Sequence, residues 1–299
     1  MKKKNLDTLV EDIYKALEPL AHNKPLPVTE QDLENFGKDM KETLAHWALP
    51  EERGTSTLRM SNIGKPERQL WFDAKSEAPQ EIINPSVYIK FLYGHLLETV
   101  LLFLVKLSGH KVEDEQKEVN VEGIKGHMDC KIDDQVVDIK TASSYAFKKF
   151  SEGTLAEEDS FGYITQLTGY EEAEQTNEGG FLALNKETGE IALFRPNEFD
   201  KPNVKLRIQN LKKILKKRTP PELCYQPEAE GSSGNFKLPR LCTYCRHKFE
   251  CHKDANNGRG LRVFKYARGP VFFTHVESEP KVEEIVYESN KSKSNKKKS

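Results

Sequence analysis

The residues that could do chemistry in this 299-residue chain surround one short acidic hairpin. Segments 126–132 and 135–141 combine alternating and β-branched residues, which predicts two short strands. Asp133 and Asp134 lie between them as a turn-like pair. The sequence therefore predicts a hairpin whose register is fixed by a two-residue turn.

That register places two carboxylates opposite each other. Counting away from the turn, Asp129 faces Asp138, and Lys140 points to the same side of the hairpin. Facing residues lie roughly 4.5–5.5 Å apart at Cβ, so two like charges destabilise the pair unless a cation lies between them. Carboxylates suit Mg²⁺ or Mn²⁺, and a nearby lysine can orient water and stabilise phosphate charge. A solvated hairpin with a chance cluster of charges is the alternative.

Two predicted helices are expected to bring further residues to the hairpin. Glu98 lies in an apolar part of the helix predicted over 86–107, where a buried carboxylate needs a metal or another partner. An exposed helix edge is the alternative. Gln166 and Tyr170 share a face of the helix predicted over 161–175, where they could bind a nucleotide by hydrogen bonding and stacking. Ordinary helix packing would explain the same pair.

Taken in order, these residues resemble the motifs of the PD-(D/E)XK nuclease superfamily, and of its RecB-like exonuclease branch in particular. The resemblance covers roughly residues 55–255, and its matching segments are Gly94–Glu98, Gly126–Asp129, Asp138–Lys140 and Gln166–Tyr170. Glu98 stands where the branch often has histidine, and Asp138 stands where many members have glutamate. Both remain hard oxygen ligands, so neither departure argues for an inactive protein.

The resemblance implies a restriction-endonuclease-like α/β (α+β) fold, in which helices flank a central mixed sheet, and metal-dependent hydrolysis of DNA. It implies that Mg²⁺ or Mn²⁺ is held by three carboxylates, those of Glu98, Asp129 and Asp138. The Ile139 carbonyl would be a further ligand, and Lys140 would orient the attacking water.

We expect an exonuclease acting on single- or double-stranded DNA ends in recombination, repair or phage DNA metabolism. An endonuclease of the same fold is one alternative, and a nonenzymatic nucleic-acid-binding module with a degenerate site is another. The sequence has no Gly-x-x-x-x-Gly-Lys-Ser/Thr motif, so any unwinding would come from a helicase or recombination partner.

Four of the five cysteines lie between Cys224 and Cys251, which in an unsecreted chain favours a metal site over disulfides. Cys242, Cys245 and Cys251 resemble the C-terminal trio that holds a [4Fe–4S] cluster in some RecB-like nucleases, including AddB and the CRISPR-adaptation exonucleases. The fourth cysteine of those proteins lies upstream, near a segment similar to 64–68 here, which has none; Cys224 would replace it. A zinc site, with neighbouring histidines as alternative ligands, is the other interpretation.

Composition and segment boundaries complete the prediction. The 46 basic and 47 acidic residues balance, so DNA contact would depend on local groups such as Arg68, Lys148 and the basic helix predicted over 202–217. We find no signal peptide, and charges interrupt the apolar segment 87–107, which predicts a buried helix of a cytoplasmic protein and no membrane contact. The expected regions are a helical N-terminal region (1–55), a nuclease core (56–220), a cysteine-rich segment packed on it (221–287) and a disordered basic tail (288–299).

Overall fold

The computed structural model describes residues 4–49, 58–76 and 84–286. These form two compact units: the first unit comprises residues 4–49, 58–65 and 84–213, and the second unit comprises residues 66–76 and 214–286. This division differs from the expected boundaries, because the N-terminal helices join the first unit and residues 66–76 join the cysteine-rich segment. The expected tail at 288–299 lies outside the described residues.

The helices of the described residues are α1 (Leu9–Ala21), α2 (Glu30–Ala48), α3 (Glu67–Lys75), α4 (Pro85–Leu107), α5 (Ser144–Ser151), α6 (Tyr163–Glu174), α7 (Val204–Lys216), α8 (Arg240–Thr243), α9 (Lys248–Cys251) and α10 (Ala255–Gly258). The strands are β1 (Val112–Glu113), β2 (Glu118–Val121), β3 (Ile124–His127), β4 (Cys130–Ile132), β5 (Gln135–Ala142), β6 (Gly180–Asn185), β7 (Ile191–Phe194), β8 (Glu228–Ala229), β9 (Phe236–Lys237), β10 (Arg262–Tyr266) and β11 (Gly269–His275).

Within the described residues, the first unit is built on a mixed sheet of five strands in the order β1-β4-β5-β6-β7. β5 runs antiparallel to β4 and parallel to β6, and a parallel pair requires a crossover, which α5 and α6 supply. Buried apolar residues of α1 and α4 pack against alternate residues of β5, such as Val137 and Ile139. The predicted mixed sheet flanked by helices is confirmed.

The predicted helix at 86–107 is present as α4, but its environment differs from the expectation. Only its C-terminal part is buried, at Leu101, Leu102 and Val105, where α1 and the sheet cover it. Aromatic side chains near its N-terminal end, including Tyr88 and Tyr93, are about half exposed. The expectation of a buried helix is therefore wrong for that half. By length and composition α4 could cross a membrane, and core helices of soluble proteins share that property.

The strand prediction before the hairpin was too simple. The segment 111–121 forms two strands, β1 and β2, separated by a turn, and the predicted strand 126–132 is divided between β3 and β4. β2 and β3 leave the central sheet and pair with each other. Gly126 lets β3 pack directly against Met60 in this arrangement, because a Cβ on residue 126 would lie only 2.3 Å from the Met60 Cβ. The chain therefore bends between the two sheets at Met128 and Asp129.

The second unit contains a smaller sheet in the order β10-β11-β9-β8. The apolar segments around Val263 and Val271 form its hairpin, β10 and β11. Leu238, Val263 and Phe272 form a small buried core, against which Cys242 packs. This core fixes the backbone that carries the cysteine segment.

Candidate active site and cysteine segment

The Asp133-Asp134 turn sets the geometry of the hairpin. Both residues have positive φ, 49° and 71°, which is the mirror-image turn whose twist matches that of paired strands. β4 and β5 pair in the register expected for this turn, with Ile132 opposite Gln135. Continuing the register by one residue past β4 puts Asp129 opposite Asp138. The predicted register is confirmed.

Asp138 is the most enclosed acid of the site, with 1% of its surface exposed. One carboxylate oxygen, Oδ2, forms an ion pair with the Lys140 ammonium, and Oδ1 accepts a hydrogen bond of 3.3 Å from Gln166 Nε2. Burial raises the pKa of Asp138, and the Lys140 charge opposes that rise. Burial lowers the pKa of Lys140, but the Asp138 and Asp129 charges outweigh it and hold the pKa above its usual value. Lys140 is therefore a permanent cation at neutral pH.

Asp129 is half-buried at the bend before β4. Its Oδ2 accepts a hydrogen bond of 2.7 Å from the Ile139 N–H, so the side chain replaces a strand partner where β4 has not yet begun. The N–H and carbonyl of one strand residue point to the same side, and the Ile139 carbonyl is thus directed toward the Asp129 side. Burial and the Asp138 charge raise the pKa of Asp129 well above its ordinary value.

Glu98, on α4, is the third carboxylate and lies close enough to Asp138 and Lys140 to interact with their charges. Its Oε1 accepts a hydrogen bond of 3.1 Å from Gln116 Nε2, in the turn between β1 and β2. Burial, followed by repulsion from the Asp138 charge, raises the pKa of Glu98 to about 7. The three predicted carboxylates therefore interact electrostatically. Sequence reasoning missed Gln116, because its contact with Glu98 has no local pattern.

The carboxylates do not already surround a single ion. Across the described ranges 4–49, 58–76 and 84–286, no three His, Cys, Asp or Glu side chains are placed to hold one metal ion. Each carboxylate has its own partner instead, these being Lys140, the Ile139 N–H and Gln116. The donors suit a hard divalent cation by chemistry, and a cation would relieve their mutual repulsion. A cation bound by all three would need them closer to one point than they lie here.

The two residues predicted on α6 support Asp138 rather than forming an open surface. Tyr170 is 2% exposed, and its hydroxyl accepts a hydrogen bond of 3.0 Å from Gln166 Nε2. The expected stacking of a nucleotide on Tyr170 is therefore wrong, because its ring is covered. Gln166 joins Tyr170 to Asp138 and so positions the carboxylate.

Several basic groups proposed as DNA contacts are engaged within the protein. In the second unit, Arg68 donates to Cys251 Sγ at 3.1 Å, to the Cys251 carbonyl at 3.3 Å and to the Pro221 carbonyl. Arg68 therefore holds the cysteine segment, and its contact with DNA stays a prediction. On α7, internal contacts engage Lys205, Arg207 and Lys212.

The four clustered cysteines are half-buried free thiols that affect one another electrostatically. Burial raises the pKa of Cys242 to about 12, and the other three thiolates add to the rise. Three of the sulfurs accept N–H donors: Cys224 from the backbone of Gln69, Cys245 from the backbone of His247, and Cys251 from Arg68. Such hydrogen bonds stabilise the thiolate form that ligates a metal or cluster.

The neighbouring histidines have other environments. His247 Nε2 is 2.7 Å from Asp73 Oδ1, and its ring stacks on Phe72. Burial lowers the pKa of His252, and the Arg68 charge adds to this. A tetrahedral zinc ion needs its ligands within a few ångströms of one point, and the described residues contain no such group.

No protein-family model matches this sequence, and no curated protein matches it. Among solved structures, the chain is similar to one titled "Crystal structure of SSO0001", with 18% identity and a TM-score of 0.39 over 71% of this chain and 93% of that chain. A similarity at this level carries no argument about activity.

Proposed function

We propose that this protein is a metal-dependent deoxyribonuclease whose active site consists of Glu98, Asp129, Asp138 and Lys140. One observation carries the proposal: the hairpin register places Asp129 opposite Asp138, and Asp138 pairs with Lys140. The Asp138 charge also raises the pKa of Glu98, so the third carboxylate belongs to the same cluster. Burying like charges together is costly, and such arrangements are concentrated at functional sites. The order of these residues along the chain supports the same conclusion, since it is the order of the PD-(D/E)XK motifs.

The roles follow from the contacts. Glu98, Asp129 and Asp138 would hold one or two Mg²⁺ or Mn²⁺ ions, with the Ile139 carbonyl as a further ligand. When bound, the metal supplies charge stabilisation at the phosphate and lowers the pKa of a water molecule. Lys140, a permanent cation, orients the attacking water and stabilises the charge that develops on the phosphate.

We propose action on DNA ends, as an exonuclease in recombination, repair or phage DNA metabolism. The support is the resemblance to the RecB-like branch, and endonuclease action by the same site is the alternative. A nonenzymatic binding module is disfavoured, because a site without catalytic use would gain stability by losing one of its repelling carboxylates.

For the cysteine segment we propose a [4Fe–4S] cluster that stabilises the second unit. The support is the four half-buried sulfurs, which influence one another, and the resemblance of Cys242, Cys245 and Cys251 to the C-terminal trio of some RecB-like nucleases. Iron, sulfide and zinc analysis of anaerobically purified protein, with its visible absorbance, tests this. Stoichiometric zinc without iron would refute the cluster and show that the segment binds zinc.

The activity test uses end-labelled linear DNA and closed circular DNA, each with Mg²⁺ or Mn²⁺ and with EDTA. We expect the wild type to degrade linear DNA only with metal, and Lys140→Ala to lose at least about a hundredfold in rate. Lys186→Ala is the matched control, because Lys186 is exposed directly after β6. Cutting of closed circles would identify an endonuclease, and absence of cleavage of both substrates would refute the proposed function.

A further inference from the structure

Phe161 is an aromatic side chain held at the surface next to the candidate active site. It is 63% exposed, and its ring stacks on that of Tyr163 with centroids 5.3 Å apart and planes 21° apart. A single exposed aromatic residue needs no explanation by itself. This one has a defined orientation, because one face lies on a partner ring and the rest of the ring is open to solvent.

The backbone that carries Phe161 is fixed. Asp159 accepts hydrogen bonds of 2.8 Å from the N–H groups of Tyr163 and Ile164 at the start of α6. Gly162, which precedes Tyr163, adopts φ 74°. It lies so close to Gly64 that a Cβ added to Gly162 would be 2.3 Å from the Gly64 Cα. The exposed ring is therefore preorganised, and little conformational freedom is lost when a flat group binds to it.

The ring pair is continuous with the proposed catalytic residues. The Lys140 Nζ lies 4.9 Å from the centroid of the Tyr163 ring, so the ring that supports Phe161 also contacts the proposed catalytic lysine. One turn further along α6, Gln166 donates to Asp138. The exposed ring of Phe161 and the Lys140 cation thus both contact the Tyr163 side chain.

We propose that Phe161, backed by Tyr163, stacks on an unpaired base of a DNA strand and thereby positions the adjoining phosphate at Lys140. A nucleotide combines a flat π-face with an anion, which matches the ring and the cation. A base inside a duplex is already stacked on its neighbours, so the platform selects single-stranded or frayed ends. This inference rests on the proposed function and adds a substrate preference to it.

The test compares Phe161→Ala, Phe161→Trp and Phe199→Ala with the wild type. Phe199 is 100% exposed in the first unit and controls for removal of a surface phenyl group. Hydrolysis with Mg²⁺ is measured on a single-stranded oligonucleotide and on a blunt duplex. Binding is measured with Ca²⁺, from the fluorescence of 2-aminopurine at the terminal positions of the single strand.

We expect Phe161→Ala to raise KM for the single strand about tenfold, with a smaller effect on the duplex, and to lose the quenching of 2-aminopurine. Phe161→Trp should restore both, and Phe199→Ala should resemble the wild type. A wild type that cleaves DNA while Phe161→Ala matches Phe199→Ala would refute the stacking role alone. A wild type that neither binds nor cleaves DNA would overturn the proposed function, and this inference with it.

Discussion

Substitution of Glu98 by glutamine separates the electrostatic cost of the site from its hydrogen bonding. The new amide oxygen can still accept from Gln116, but it carries no charge. The wild-type side chain has a pKa of about 7 in the folded protein and an ordinary value of 4.5. An acid whose pKa rises on folding destabilises the protein as pH rises above its ordinary value, because the unfolded chain releases the proton first.

The magnitude follows from that difference. Each pKa unit corresponds to about 1.4 kcal/mol, so the whole shift would lower the free energy of unfolding by about 3 kcal/mol. Partial solvent exposure of Glu98 reduces the expected effect to about 1–3 kcal/mol. Without metal, Glu98→Gln should therefore be more stable than the wild type by that amount at pH 8, and nearly equal to it at pH 4.5.

The assay is urea denaturation in EDTA, followed by tryptophan fluorescence. The chain has 2 tryptophans, and a Trp71→Phe background leaves Trp47 as a reporter of the first unit. Glu34→Gln, on the exposed face of α2, is the matched control. Equal stabilisation at both pH values, or a loss of stability at pH 8, would refute the account of Glu98 as a repelled carboxylate. Added Mg²⁺ should stabilise the wild type more than Glu98→Gln.

Three further substitutions test other parts of the molecule. Gln166→Leu removes the donor that holds Asp138, and we expect nuclease activity to fall about 10–100-fold in steady-state assays; unchanged activity would show that Gln166 is not a positioning residue. Cys242→Ser should abolish bound iron and lower the urea midpoint of the second unit, reported by Trp71, while iron retained at wild-type levels would exclude Cys242 as a ligand. Asp134→Gly should stabilise the first unit by about 0.5–1 kcal/mol in urea denaturation, because glycine accepts the positive φ of the turn, and a loss of stability would contradict this.

Local patterns were sufficient to predict the hairpin. The period of two and the Asp133-Asp134 pair define its turn and register, and these are short-range properties of a pleated strand. The helices that carry Glu98 and Gln166 were also predicted near their observed limits, since long periodic segments are informative. The elements of the candidate site were therefore largely readable from the sequence.

Contacts between distant segments were not readable in this way. The division of segment 126–132 between two sheets depends on the packing of Gly126 against Met60, 66 residues earlier in the chain. Likewise, the hydrogen bonds of Arg68 to Cys251, 183 residues later in the chain, have no local signal in the sequence. Alternation and spacing describe neighbours along the chain, and they contain no information on which distant side chain will pair with a charged group.

The metal-free site needs a source of positive charge, and Lys140 alone cannot supply it. The lysine pairs with Asp138, and the pKa values of Asp129 and Glu98 remain raised despite its presence. These two carboxyl groups therefore retain protons to higher pH than ordinary acids do. A metal that binds them must displace those protons, so its affinity should rise with pH as Glu98 ionises near pH 7. Protons and one lysine thus stabilise, in the metal-free protein, the same buried carboxylates that the proposed divalent cation would hold.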